Sequence, residues 1–348
     1  MKKLSFLLTT IAVVAAVLVY TMGTAVAFTE GKTVRILVGT NPGGGFDTHA
    51  RVIARHLGKH LPGNPKIIVQ NMPGGSGVIA ANYLYNVVKP NGLTILASLP
   101  VHVQQLVGRK VVQYDLKYVN WIGSTNGEVM VAMVRNVKEF RDLKAIKSAT
   151  TRPNFGYGSK AGLSHQFGAL INRVLELNIH LISGYRGTAR IKMAVEQGEL
   201  DGFAGVTMTA AFSSVGDWLS KDRVTILVQS GVWDPKASTF KRHPRIKDVP
   251  TVLELAAPDD RPLVNLISAG QVGGRPYVAP PKVPADRVKT LRDAFWATVT
   301  SPEYKSESKR VFRTELEPVP GKVLQDLMAN VMAASPQERA ALKALFIK

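Results

Sequence analysis

Four stretches of this chain join a strand-like run to a helix-like run through glycine and hydroxyl residues. They are Thr40-Asn41-Pro42-Gly43-Gly44-Gly45-Phe46-Asp47, Asn71 to Gly77, Ser159 to Ser164, and Gly184 to Thr188. Such loops leave backbone N–H groups bare at helix N-termini, where the dipole favours negative charge. The chemistry on offer is anion binding. A carboxylate held by a few N–H groups and Ser or Thr hydroxyls gains about 1.5–3 kcal/mol per hydrogen bond. Less the ordering cost, this supports micromolar affinity, on the order of −8 kcal/mol. Asp47 has two readings: a ligand contact through water or a ligand hydroxyl, or a cap accepting N–H bonds from the following turn.

Other chemistries fit less well. Gly43-Gly44-Gly45-Phe46-Asp47-Thr48 puts Thr48 where a dinucleotide fingerprint needs its third glycine. Gly31-Lys32-Thr33 ends like a P-loop, but Val26 stands where the first glycine belongs. A serine hydrolase needs a sharp nucleophile turn, and Val78 after Ser76 and Tyr157 before Ser159 both break that motif. Ser164 and His165 are neighbours in sequence, which does not build a triad. His49, His56 and His60 lie near one line of a helix, and His56/His60 have zinc-ligand spacing. Leu57 after His56 defeats the zincin pattern, so these histidines are read as an exposed border of the apolar face. Binding without catalysis, with no metal and no cofactor, is the expectation.

The elements that must position these loops alternate. Val34–Val38, Lys66–Gln70 and Leu93–Ala97 read as strands, with helices over Asp47–Leu61 and from about Ala80 to Val88. The pattern restarts after Thr151: strands at Asn154–Tyr157, Ile179–Ser183, Leu200–Ala204 and Val224–Val228, and a helix that Ser164 caps. From Pro284 the chain reads as helices over Ala285–Thr298, Pro302–Phe312, Lys322–Met332 and Pro336–Phe346. This alternation predicts an α/β fold with mainly parallel sheets covered on both faces. In open α/β sheets ligands sit at the carboxyl ends of strands, so four loops can converge on one cleft between two domains.

The 348 residues allow two domains, and 45% hydrophobic with 20% charged residues marks a folded chain. Residues 1–27 stand apart. Lys2 and Lys3, an uncharged apolar run from Leu4 to Met22, and Ala25-Val26-Ala27 form a secretory signal pattern. An uncleaved anchor is the rival reading, and the small-x-small site favours cleavage before Phe28. With no cysteine, disulfides, a Cys nucleophile and a lipoprotein anchor are excluded. The net charge is +19, and residues 1–27 contribute only two lysines to it. Such a field suits an anionic partner, or is simply a solvated basic surface. Export, and the absence of a Lys/Arg run, argue against nucleic acid.

Taken together, the motifs resemble the periplasmic solute receptors of tripartite tricarboxylate transporters, the Bug family. The resemblance rests on Pro42-Gly43-Gly44-Gly45-Phe46-Asp47 with Ala50-Arg51, Asn71 to Gly77, Gly92-Leu93-Thr94, Tyr157-Gly158-Ser159 and Ser164-His165. It continues through Gly184-Tyr185-Arg186-Gly187-Thr188, Gly198 to Gly202, Val249-Pro250-Thr251 and Val278-Ala279-Pro280-Pro281. It covers nearly the whole chain after residue 27. It implies a type II-like periplasmic-binding fold of two lobes, joined by two hinge crossovers near Glu128–Val134 and Ile226–Gly231. The implied limits are 28–133 with 232–348 for the first domain and 134–231 for the second.

The resemblance also implies a small organic acid as ligand, a membrane permease as partner, and a monomer. Its carboxylate is expected between the first two loops: Thr40, Asn41, Gly43, Gly44, Gly45, Asp47, Gly74, Gly75 and Ser76. Second-domain contacts are expected from Ser159, Ser164, His165, Tyr185, Gly187 and Thr188, with Thr207 on the far wall. Arg186 is either a carboxylate partner or a solvated loop residue. Thr40 and Asn41 depart from the family, which often has an aromatic at the first of these positions. A ligand sensor docking on a signalling receptor shares this binding chemistry, and a periplasmic hydrolase is the remaining alternative.

Overall fold

The computed structural model describes residues 28–97, 101–160, 162–185 and 187–346. The signal-peptide expectation and the Arg186 alternatives lie outside them. The first sheet has six strands: β1 Thr33–Val38, β2 Lys66–Asn71, β3 Thr94–Ala97, β4 Asn120–Ser124, β12 Pro276–Ala279 and β13 Val319–Pro320. Strand β1 lies between β2 and β3 and is parallel to both. Its Val34, Ile36, Leu37 and Val38 are fully buried, as a strand covered on both faces requires.

The second sheet holds β5 Met130–Arg135, β6 Asn154–Gly156, β7 His180–Ile182, β8 Gly202–Thr207 and β9 Val224–Gln229, in the order β7-β6-β8-β5-β9. A hairpin of β10 Val232–Asp234 and β11 Thr239–Lys241 stands apart. Both sheets are mixed. Strands β6, β7 and β8 are parallel, whereas β5 runs against β8 and β9, and β12 against β3 and β4. The chain reaches β5 and β12 from another sheet rather than by a βαβ crossover within their own, so no right-handed crossover fixes them parallel. The result is a two-lobe α/β fold.

Helices cover both sheets. Helix α1 Gly45–Leu57 buries Ala50, Val52, Ile53 and Leu57. It starts two residues before the expected Asp47 and ends at Leu57, followed by a short 3-10 turn. It packs with α10 Ala285–Thr300 and α11 Pro302–Phe312 on one face of the first sheet. On the other face lie α2 Val78–Asn86, α3 His102–Leu106 and α12 Gly321–Met332. In the second lobe, α5 Leu163–Val174 covers one face, and α6 Thr188–Glu196 and α7 Met208–Ser220 the other. Two helices from late in the chain, α9 Arg261–Val272 and α13 Pro336–Phe346, pack onto α5, and both also touch α3. The apolar core beneath them is continuous from Leu37 and Leu84 to Phe155 and Phe167. Among the described residues no helix is long and apolar enough to cross a membrane.

Candidate ligand-binding cleft

The loops that follow β1 and β2 meet the loop that follows β6 across the lobe junction. The first loop leaves β1 through Gly39, where a Cβ would sit 3.2 Å from the Gly77 Cα. A side chain there would push the two loops apart. Gly43 adopts φ +79°, and Gly44, at φ −79°, is the N-cap of α1 with no side-chain cap.

Asp47 is 2% exposed, and the chain's order around it differs from the expected cap. Because α1 starts at Gly45, Asp47 lies inside the first turn and reaches backwards. Its Oδ2 accepts from the Gly43 N–H at 2.8 Å and from Arg51 Nε at 2.9 Å, and its Oδ1 accepts from Asn71 Nδ2 at 2.9 Å. Asn71 Nδ2 also donates to the Thr40 carbonyl at 3.0 Å, and its Oδ1 accepts from Arg51 Nη2 at 3.1 Å. One carboxylate thus ties the start of the second loop to both ends of the first. Burial works to raise its pKa; the hydrogen bonds from Arg51, Gly43 and Asn71 outweigh that and lower it.

The second loop runs through four consecutive residues with positive φ: Gly74 +136°, Gly75 +56°, Ser76 +54° and Gly77 +92°. Ser76 has a Cβ, so its left-handed conformation costs about 1–2 kcal/mol. A backbone strain of this kind persists only where its surroundings hold it.

These loops wall a cleft of about 320 Å³. The first lobe contributes Gly39, Thr40, Asn41, Pro73, Gly74 and Ser76, with Val101 and Gln104 from the start of α3; the second lobe contributes Ser159, Gly162 and Leu163. The Thr40 hydroxyl is buried with no partner among the described residues. Gly43, Gly44, Gly45 and Gly75 are exposed beside the cleft. Gln104 and Val101 carried no motif that sequence reasoning could use.

The remaining expected second-lobe residues do not line this cleft. Helix α5 is capped by Gly162 rather than by Ser164, which falls inside its first turn. Ser164 packs closely on Gly205 of β8. His165 Nδ1 pairs with the Lys160 carbonyl at 2.8 Å, and its ring lies between Tyr157 and Phe346. Tyr185 donates its hydroxyl to Glu199 beside a separate surface groove. Gly187, at φ +91°, is the N-cap of α6, and Thr188 is that helix's first residue. Thr207 caps α7, accepting from the Ala210 N–H at 3.2 Å.

The exposed histidine border is corrected at two of its three positions. His49 is 5% and His56 8% exposed. His49 stacks on Phe312 with centroids 3.9 Å apart and bonds Thr125 Oγ1 at 3.0 Å. His56 Nε2 meets Glu307 Oε2 at 2.6 Å. Helices α10 and α11, 240 residues further on, cover the polar flank that the helical pattern assigned to solvent; His60 alone stays exposed. Burial, helped by the Arg275 charge, holds the His49 pKa well below its ordinary value.

No protein-family model matches the chain. A curated protein of Cupriavidus necator, described as a UPF0065 protein in the gbd 5′ region, is 25% identical over 283 residues, 79% of this chain and 76% of that protein. A TctC solute binding protein from Polaromonas superposes with a TM-score of 0.64 at 19% identity, covering 90% of this chain and 97% of its own. MatC from Rhodopseudomonas palustris, with bound malate, gives 0.60 at 20% identity over 90% and 99%. The periplasmic binding protein BugD gives 0.60 at 19% over 91% and 98%. The chain is therefore similar to TctC and Bug solute-binding proteins and shares their two-lobe fold.

Proposed function

We propose that the chain is an exported receptor that captures a small organic anion, a mono- or dicarboxylate, between its lobes and delivers it to a tripartite tricarboxylate-type permease. The observation that carries this reading is the cleft itself: two glycine loops, locked together through Asp47 and Asn71, facing Ser159 and Gly162 across the lobe junction. Likeness to solute-binding proteins, one of them holding malate, supports it. The Gly43 N–H is given to Asp47. The donors for a carboxylate are then the N–H groups of the first turn of α1, which lacks a side-chain cap, with those of the Gly75–Ser76 turn.

The reading includes residues 1–27 as a cleaved signal, a periplasmic location, and the lobe limits 28–133 with 232–348 and 134–231. A ligand touching both lobes favours the closed state because only there does it gain both sets of contacts. The lobe arrangement is then what the permease recognises.

A thermal-shift panel of small organic acids, their amides and sugars tests the reading, because a ligand of the native state raises Tm by mass action. Acids including malate are expected to raise Tm, and malamide to leave it unchanged. A shift with neutral compounds alone contradicts an anion receptor.

A further inference from the structure

The chain passes between the sheets at 125–129, between the end of β4 and the start of β5, and Glu128 lies in this passage. Its side chain is 2% exposed. Its N–H donates to the Gln271 carbonyl at 2.9 Å, and the Met130 N–H that follows donates to Ser230 Oγ, beside the returning strand, at 3.0 Å. A Cβ on Gly274 would overlap the Glu128 Cβ at 2.8 Å, so only glycine admits this side chain.

Besides a hydrogen bond from the Asn126 side chain within the passage itself, the Glu128 carboxylate has one partner on each side of it. Oε1 lies 3.4 Å from Nη2 of Arg275, the residue that leads into β12 of the first sheet. Oε2 accepts from Thr209 Oγ1 at 3.4 Å, in the first turn of α7, which follows β8 of the second sheet. Arg275 is itself fixed on the first lobe. Its guanidinium lies 4.5 Å over the Phe46 ring, next to Gly45, and its Nη1 donates to the Gly274 carbonyl at 2.9 Å. One buried carboxylate therefore connects the helix that carries the first glycine loop to a helix of the opposite lobe. Because these two partners belong to opposite lobes, a rotation of one lobe against the other about the passage changes at least one of the contacts. A buried charge that loses a partner is strongly disfavoured.

We propose that Glu128 and Arg275 are positioning residues for ligand capture, holding the two lobes in register through the Arg275–Glu128–Thr209 connection. This rests on the receptor reading for its link to binding, while the hinge itself is testable without ligand. A lobe arrangement favoured before binding lowers the conformational cost of capture, and losing it is expected to weaken binding about 5-fold or more.

Small-angle X-ray scattering of the purified protein, with and without malate, is compared for wild type, Glu128→Gln and Thr209→Val, alongside calorimetric titration with malate. Thr209→Val removes only the second-lobe contact and leaves the ion pair, so it guards against a misfolded Glu128 variant. Both variants are expected to change the radius of gyration of the free protein, to bind malate more weakly, and to return to the wild-type radius when loaded. Free-state scattering that superposes on wild type overturns the proposal. So does a changed radius that malate, bound at wild-type affinity, leaves in place. If wild type binds neither malate nor another acid, the receptor reading fails, and the free-state scattering alone then decides the hinge connection.

Discussion

Asn71 Nδ2 lies 2.9 Å from Asp47 Oδ1 and 3.0 Å from the Thr40 carbonyl, so a single amide spans both glycine loops. Asn71 ends β2, and Asp47 sits in the first turn of α1. Their contact ties the two loops into one edge of the cleft.

Replacing Asp47 by Asn removes the charge that holds Gly43, Arg51 and Asn71. A loss of about 1–3 kcal/mol is expected at neutral pH, from urea unfolding. The folded carboxyl has a lowered pKa. Its contribution is therefore complete above the unfolded value of about 3.9 and is lost as pH falls through the folded value. The gap between wild type and variant should narrow between pH 5 and pH 2.5. An equal gap across that range contradicts the assignment.

Gly44→Asp separates stability from binding. Gly44 has φ −79°, and the nearest atom to a Cβ there is the Asn41 carbonyl oxygen at 3.6 Å, so a side chain fits. Aspartate is a preferred N-cap and favours the positive end of the dipole. Tm should hold or rise. The same carboxylate would occupy the N–H groups offered to ligand, so affinity for an acid should fall at least 100-fold by calorimetry. Retained affinity removes this helix terminus from the site.

His102 is 1% exposed and bonds the Leu266 carbonyl at 3.0 Å; burial pushes its pKa down to about 4. The folded state thus favours the neutral ring. This contribution is intact above the unfolded value of about 6.5 and is lost as pH falls toward 4. Acidification from pH 7.5 to 5 should cost about 2 kcal/mol through this residue, and His49 acts in the same direction. His102→Gln is expected to start less stable and to lose less over that interval. Parallel pH profiles for the two proteins would show that His102 does not titrate this way.

What could be read from the sequence was local. Pro302–Phe312 and Pro336–Phe346 coincide with helices α11 and α13, because their stop and start residues lie within the segments themselves. The β1–α1 and β2–α2 loops were legible for the same reason: glycines where φ is positive follow apolar strands. The antiparallel β12 was not, since its partners β4 and β3 lie about 150 and 180 residues earlier. His49 and His56 were misplaced because the cover over α1 comes from α10 and α11. Glu128, Thr209 and Arg275 stand alone in sequence with no motif, and only the pairing of distant strands brings them together.

The most direct measurement is amide hydrogen exchange across the whole protein, with and without a saturating acid identified by the thermal-shift panel. Slowed exchange is expected at residues 41–47 and 74–78 of the first lobe and at 158–164 of the second, because the ligand takes up N–H groups there and draws the lobes together. Protection confined to another surface, such as the groove beside Tyr185, with these three segments unchanged, would contradict an anion held between the glycine loops.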